Sequence, residues 1–166
     1  IALLHGEWAS GTNLEYRLIE TLISVVRTAP NSEASEHACA LIKQVTLQLL
    51  DQDLVVNVAA ILRLLHARRE LLESNQTDPL KELIDQLTEP NQIEALLNLF
   101  RKERDRRAAI QELFLLLDPA KVQLQLQRNL ARPEELEAEP QILEMLFAIS
   151  QGELERGLAS GEFLKR

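Results

Sequence analysis

An all-α fold is what this sequence predicts, on three observations. Strong helix formers (Leu, Glu, Gln, Arg, Ala) fill the chain beside only 5 Gly, 6 Pro and 4% aromatics. Apolar residues recur at helical spacing in one segment after another. Two helix starts of the same design, Asp78-Pro79-Leu80-Lys81 and Asp118-Pro119-Ala120-Lys121, stand 40 residues apart. In each, an Asp is placed to accept orphan backbone N–H groups, and a Pro follows at the first helical position.

The first helix opens at Thr12-Asn13-Leu14-Glu15, a capping-box pattern, and its expected stripe is Leu14, Leu18, Leu22, Val25 and Val26. Ala29-Pro30-Asn31-Ser32 ends it. A second helix, about 33–51, carries Ala38, Leu41, Ile42, Val45 and Leu49, and Asp51-Gln52-Asp53 supplies a turn and a cap. A third and longest helix, about 53–74, has Leu54, Val55, Val58, Ile61, Leu62 and Leu65 on its apolar face. The polar run Ser74-Asn75-Gln76-Thr77 reads as a flexible joint.

Pro-started helices follow at about 79–88 and 90–102. The charged knot 101–107 then interrupts the pattern before Ala108, Ile110, Leu113, Phe114 and Leu117 resume it. A turn near Arg104 with Asp105 as cap is the expectation, one continuous helix the alternative. Beyond Pro119, Val122, Leu124 and Leu126 alternate with Gln123, Gln125 and Gln127, which is a strand period. The Asp-Pro start, the Gln content and the helical neighbours favour a helix instead. Glu139-Pro140 opens a last helix with Ile142, Leu143, Leu146 and Ile149. The residues expected to be buried are Leu18, Leu22, Ile42, Val45, Val58, Leu62, Leu97, Leu113 and Leu146.

At 166 residues the chain suits a single helical domain, 1–166, divisible into sub-units 12–74 and 78–150. It starts at Ile1 and reads as a fragment of something longer; Leu3, Leu4 and Trp8 then cap a helical core or remain from a contact with a neighbouring domain. The net charge of −8, 18 basic residues against 26 acidic, argues against general nucleic-acid binding. One cysteine, Cys39, permits no intrachain disulfide, and a cytoplasmic setting is expected. No apolar run approaches the ~18 residues of a membrane span.

Helices of about 10–20 residues, joined by short turns and restarted by Pro, resemble HEAT-like and armadillo-like repeats between residues 33 and 149. The matched starts at Asp78/Lys81 and Asp118/Lys121, with the Leu-rich helices between them, carry the resemblance. It implies a right-handed superhelix of antiparallel helix pairs, with a compact helical bundle as the alternative, and a macromolecular partner lying along a groove. It implies no catalytic residue.

Motifs for chemistry are sparse. His37 and Cys39 stand two apart, which on a helix directs them to different faces. No His-Glu-x-x-His, Cys-x-x-Cys, Gly-rich phosphate loop or Gly-x-Ser-x-Gly elbow occurs. No cofactor and no metal are therefore expected.

Charge is more informative. Segment 101–107 holds Arg101, Lys102, Arg104, Arg106 and Arg107 against two acids, net +3. Arg68 and Arg69, with Arg63 and His66, form a second basic set. Either set is a solvated surface or a docking surface for an acidic partner, to which Arg offers bidentate contacts. Arg27 and Lys43 lie apart from both and are expected to be neutral for binding. The acidic interval 133–139 is a counterpart within the protein itself or a second copy. The leading expectation is a non-catalytic protein-protein interaction scaffold or regulatory helical domain. The alternatives are a nucleic-acid-associated domain using Arg101, Arg104, Arg106 and Arg107, and an enzyme domain whose site the sequence does not reveal.

Overall fold

The computed structural model describes residues 14–129 and residues 140, 144, 145, 147 and 149. Within them every regular element is helical and no strand occurs. The helices are α1 (Leu14–Thr28), α2 (Glu33–Asp51), α3 (Val55–Ala67), α4 (Arg69–Glu73), α5 (Pro79–Leu87), α6 (Pro90–Lys102), α7 (Arg107–Leu116) and α8 (Pro119–Asn129). A 3-10 turn, Arg104–Arg106, separates α6 from α7. The chain forms two compact units, residues 1–86 and 87–166, so the joint expected at 74–77 lies inside the first unit.

In the first unit, α1 packs on α2 through Ile19, Leu22, Ile23 and Val26, which occupy positions i, i+3, i+4 and i+7. The stripe expected from Leu14 and Leu18 is rotated away from this seam: Leu14 is 79% and Leu18 44% exposed. Apolar residues sit on two adjoining faces of α1, and packing against α2 selects the one carrying both isoleucines. On α2 the buried set is Ser35, Ala38, Cys39, Ile42, Thr46 and Leu49, while Leu41 is exposed and Val45 only half-buried. Small side chains at this seam let two helices approach closely. The buried Thr46 hydroxyl donates to the Ile42 carbonyl at 2.8 Å, so its polarity is satisfied locally.

The corner after α2 is a Schellman motif. Leu54 N–H donates to Leu49 O (3.0 Å) and Asp53 N–H to Leu50 O (2.9 Å), with Asp53 at φ 58° in the position usually given to glycine. Asp53 thus closes α2 and does not cap α3, whose N-cap is Leu54. The long helix expected over 53–74 is broken at Arg68 (φ −112°, ψ 17°), with no Gly or Pro nearby. There the N–H of Arg68 is shared between the carbonyls of Leu64 (3.2 Å) and Leu65 (3.1 Å), and α4 restarts on the Arg68 carbonyl.

Asn75 ties the α1–α2 corner to the end of α4. Its Oδ1 accepts the N–H of Asn31 at 3.0 Å, and its Nδ2 donates to the carbonyls of Leu71 (3.2 Å) and Leu72 (3.4 Å). The Ser35 hydroxyl lies 3.1 Å from both Asn75 Oδ1 and the Ser32 carbonyl. Asn31 holds φ 58°, a left-handed conformation that asparagine tolerates better than most residues. Asn75 is buried, and the segment read as a flexible joint is anchored by it.

The Asp-Pro starts are helix N-termini. Asp78 Oδ1 accepts from the N–H groups of Leu80 (3.0 Å) and Lys81 (3.4 Å), and its carbonyl accepts from Glu82. At the second start the Asp118 carbonyl accepts from Val122 N–H at 3.0 Å. In the second unit α6, α7 and α8 pack on one another around Ile93, Leu97, Phe100, Ile110, Phe114, Val122 and Leu126. The Leu-Gln alternation is resolved as helix: Val122 and Leu126, four apart, are buried, and Leu124 between them is 47% exposed. Residues 140, 144, 145, 147 and 149 are helical, as expected after Pro140. Leu146's burial, Ile142, Leu143, the interval 133–139 and Trp8 lie outside the described residues.

Asn75→Ala would remove the acceptor of Asn31 N–H and of the Ser35 hydroxyl, while the Leu71 carbonyl keeps the Ser74 hydroxyl and the Leu72 carbonyl keeps the Asn75 N–H as donors. Unfolding in urea should show a loss of about 1–3 kcal/mol. An unchanged midpoint would mean that the corner does not depend on this amide.

Candidate functional site

The basic turn is built from the end of α6. Glu103 takes an extended conformation (φ −116°, ψ 97°), and its carbonyl accepts the Arg106 N–H at 3.2 Å to close the 3-10 turn. The N-cap of α7 is Arg106, not the expected Asp105, which is exposed. The expected turn near Arg104 is present. Lys102 and Arg104 are exposed, and Arg101, Arg106 and Arg107 are half-buried.

Arg107 belongs to the fold. Its Nε donates to the Phe100 carbonyl at 2.6 Å and its Nη2 to the Arg101 carbonyl at 3.3 Å. Its guanidinium carbon lies 5.0 Å from the centroid of the Phe100 ring. These carbonyls are in the last turn of α6, where no helical N–H follows to satisfy them, and the negative end of the helix favours a cation. The side chain read as a partner contact is therefore a helix-end clasp, and the outward charge of the turn rests on Lys102, Arg104 and Arg106.

Arg68 and Arg69 are both exposed at the break between α3 and α4. They line a concavity of about 650 Å³ with Arg27, His66, Ala67, Glu70 and Leu71. Arg27, expected to be neutral, is part of it, because α1 packs against α3 and α4 and brings its last turn there. Sequence spacing held no signal for that meeting. The two basic sets lie in different compact units. Lys43, also expected to be neutral, is 3.4 Å from Glu82 across a smaller groove of about 350 Å³ on α2.

His37 is exposed and pairs with Glu33 at 3.7 Å, one helical turn away, whereas Cys39 is fully buried. Burial pushes the Cys39 thiol from 9.0 up to about 11, and the carboxylates of Glu36, Asp78 and Glu82 add to the effect. A nucleophilic cysteine needs the opposite shift. Among the described residues no group of three or more His, Cys, Asp or Glu could hold a metal ion, and no helix is long and apolar enough to cross a membrane. His5 lies outside the described residues. No protein-family model, curated protein or solved structure matches this chain.

Arg107→Ala should lower stability by about 1.5–3 kcal/mol through the lost charged hydrogen bonds. Arg104→Ala should stay within about 0.5 kcal/mol of the parent in the same denaturant titration. For Cys39, a thiol reagent at pH 8 should react slowly with the folded chain and quickly once it is unfolded. The folded state keeps the proton that the unfolded state releases, so this contribution to stability is complete below pH 9 and is lost between about 9 and 11. Fast labelling of the native chain would contradict the burial.

Proposed function

We propose that the chain is a non-catalytic protein-interaction module, a helical scaffold that docks an acidic segment of a protein partner through the 102–106 turn. The observation that carries this reading is the clasp at Arg107. A charged loop presents a surface at low entropic cost when its ends are fixed, and here one guanidinium fastens the start of α7 to the end of α6. Lys102 and Arg104 then project from a positioned backbone in a chain whose net charge is −8.

The HEAT-like arrangement, a right-handed superhelix of helix pairs, is the architecture this proposal assigns. Both Asp-Pro starts, 40 residues apart, open real helices at Pro79 and Pro119, and this supports a repeat. A lone, buried cysteine fits the cytoplasmic setting that the reading assigns.

The test measures association kinetics of the full chain with a Glu-rich peptide and, separately, with a duplex oligonucleotide. Reversing Lys102, Arg104 and Arg106 to Glu should slow peptide association about tenfold and leave helicity intact, since such charges steer encounter. Lys121→Glu, an exposed charge of the same unit, should change it little. Tighter, steeply salt-dependent binding to the oligonucleotide would replace the reading with a nucleic-acid one. Equal effects from the reversal and the control would remove the turn as the docking site.

A further inference from the structure

The concavity at the α3–α4 break has a different character from the turn. In a continuous α-helix, consecutive side chains point about 100° apart and do not share one target. Here the helix stops at Arg68 and restarts at Arg69, and the consecutive residues from His66 to Leu71 line one concavity. Arg27 reaches it from the last turn of α1, and His66 from the last turn of α3. Three arginines and one glutamate, Glu70, are among the lining residues, so the fixed charge of the lining is +2 by count. It is an open concavity of about 650 Å³, larger than a bare ion needs and wide enough to admit a side chain with its neighbours.

We propose that this concavity binds a phosphorylated serine or threonine on a protein partner. A phosphomonoester carries about −1.5 to −2 at neutral pH, which balances the +2 lining, whereas a single carboxylate leaves half of it unmatched. Its tetrahedral oxygens accept from several arginines at once, each able to present two parallel N–H groups. Arg68 and Arg69 take the phosphate from one side and Arg27 from another. The site lies in the first compact unit and does not rest on the reading of the 102–106 turn.

The test uses the full chain and three peptides identical except at one position, carrying phosphoserine, serine or glutamate. Affinity is read by fluorescence anisotropy and location by the amide and arginine Nε resonances of labelled protein. The phosphoserine peptide should bind at least tenfold more tightly than either other peptide and shift the signals of Arg27, Arg68 and Arg69. Arg68→Gln and Arg69→Gln should each weaken it about tenfold, the cost of one charged contact. Arg68→Lys, which keeps the charge but not the fork, should fall between. The Lys102/Arg104/Arg106→Glu variant should bind the peptide as the parent does. The proposal is overturned if the glutamate peptide binds equally well, if inorganic phosphate binds as tightly as the phosphopeptide, or if the glutamine variants retain full affinity with unchanged unfolding midpoints.

Discussion

Asn75 fastens three stretches of backbone with one amide: the Asn31 corner, the start of α2 through Ser35, and the end of α4 through the Leu71 and Leu72 carbonyls. A buried amide can take this position because both ends of its dipole find partners; a half-satisfied one would cost more than an apolar residue. The rest of the first unit follows from the constraint. With the α1–α2 corner fixed against the end of α4, the α1 seam faces α2, the small residues Ser35, Ala38 and Cys39 permit close approach, and the last turn of α1 is carried to the α3–α4 break.

The second unit meets the same difficulty with a charged group. A helix that stops leaves carbonyls without donors, and α6 stops at Lys102 with no glycine to reverse the chain. Arg107 supplies the missing donors from seven residues away and covers the Phe100 ring with the same guanidinium. A lysine there would bring a point charge but no fork able to span two carbonyls. In both units a polar side chain closes a helix end, and apolar burial supplies the bulk of the stability.

Much of the helical layout was legible because it has local causes. Pro79, Pro90 and Pro119 open helices where the Asp-Pro and Glu-Pro signals place them, and the 3.6-residue period outweighed the Leu-Gln alternation in α8. The rotation of α1 was not legible, since apolar residues cover two of its faces and only the partner helix chooses between them. Nor was the break at Arg68, which no glycine or proline marks. The turn at 104–106 could be read, but Arg107 could not be told from its basic neighbours, because its role is set by where two carbonyls end. Arg27 was missed for a related reason: its neighbours in space are about forty residues away in the chain.

The clasp at Arg107 also bears on how such a surface can change over generations. Phe100 and Arg107 hold the two ends of the segment, so the exposed positions between them, from Lys102 to Asp105, have little part in maintaining the fold. Substitutions there alter what the protein presents without altering whether it folds. Under the proposed docking role, selection would act on a handful of positions whose variation the fold tolerates, and change in what the turn presents would be decoupled from change in stability.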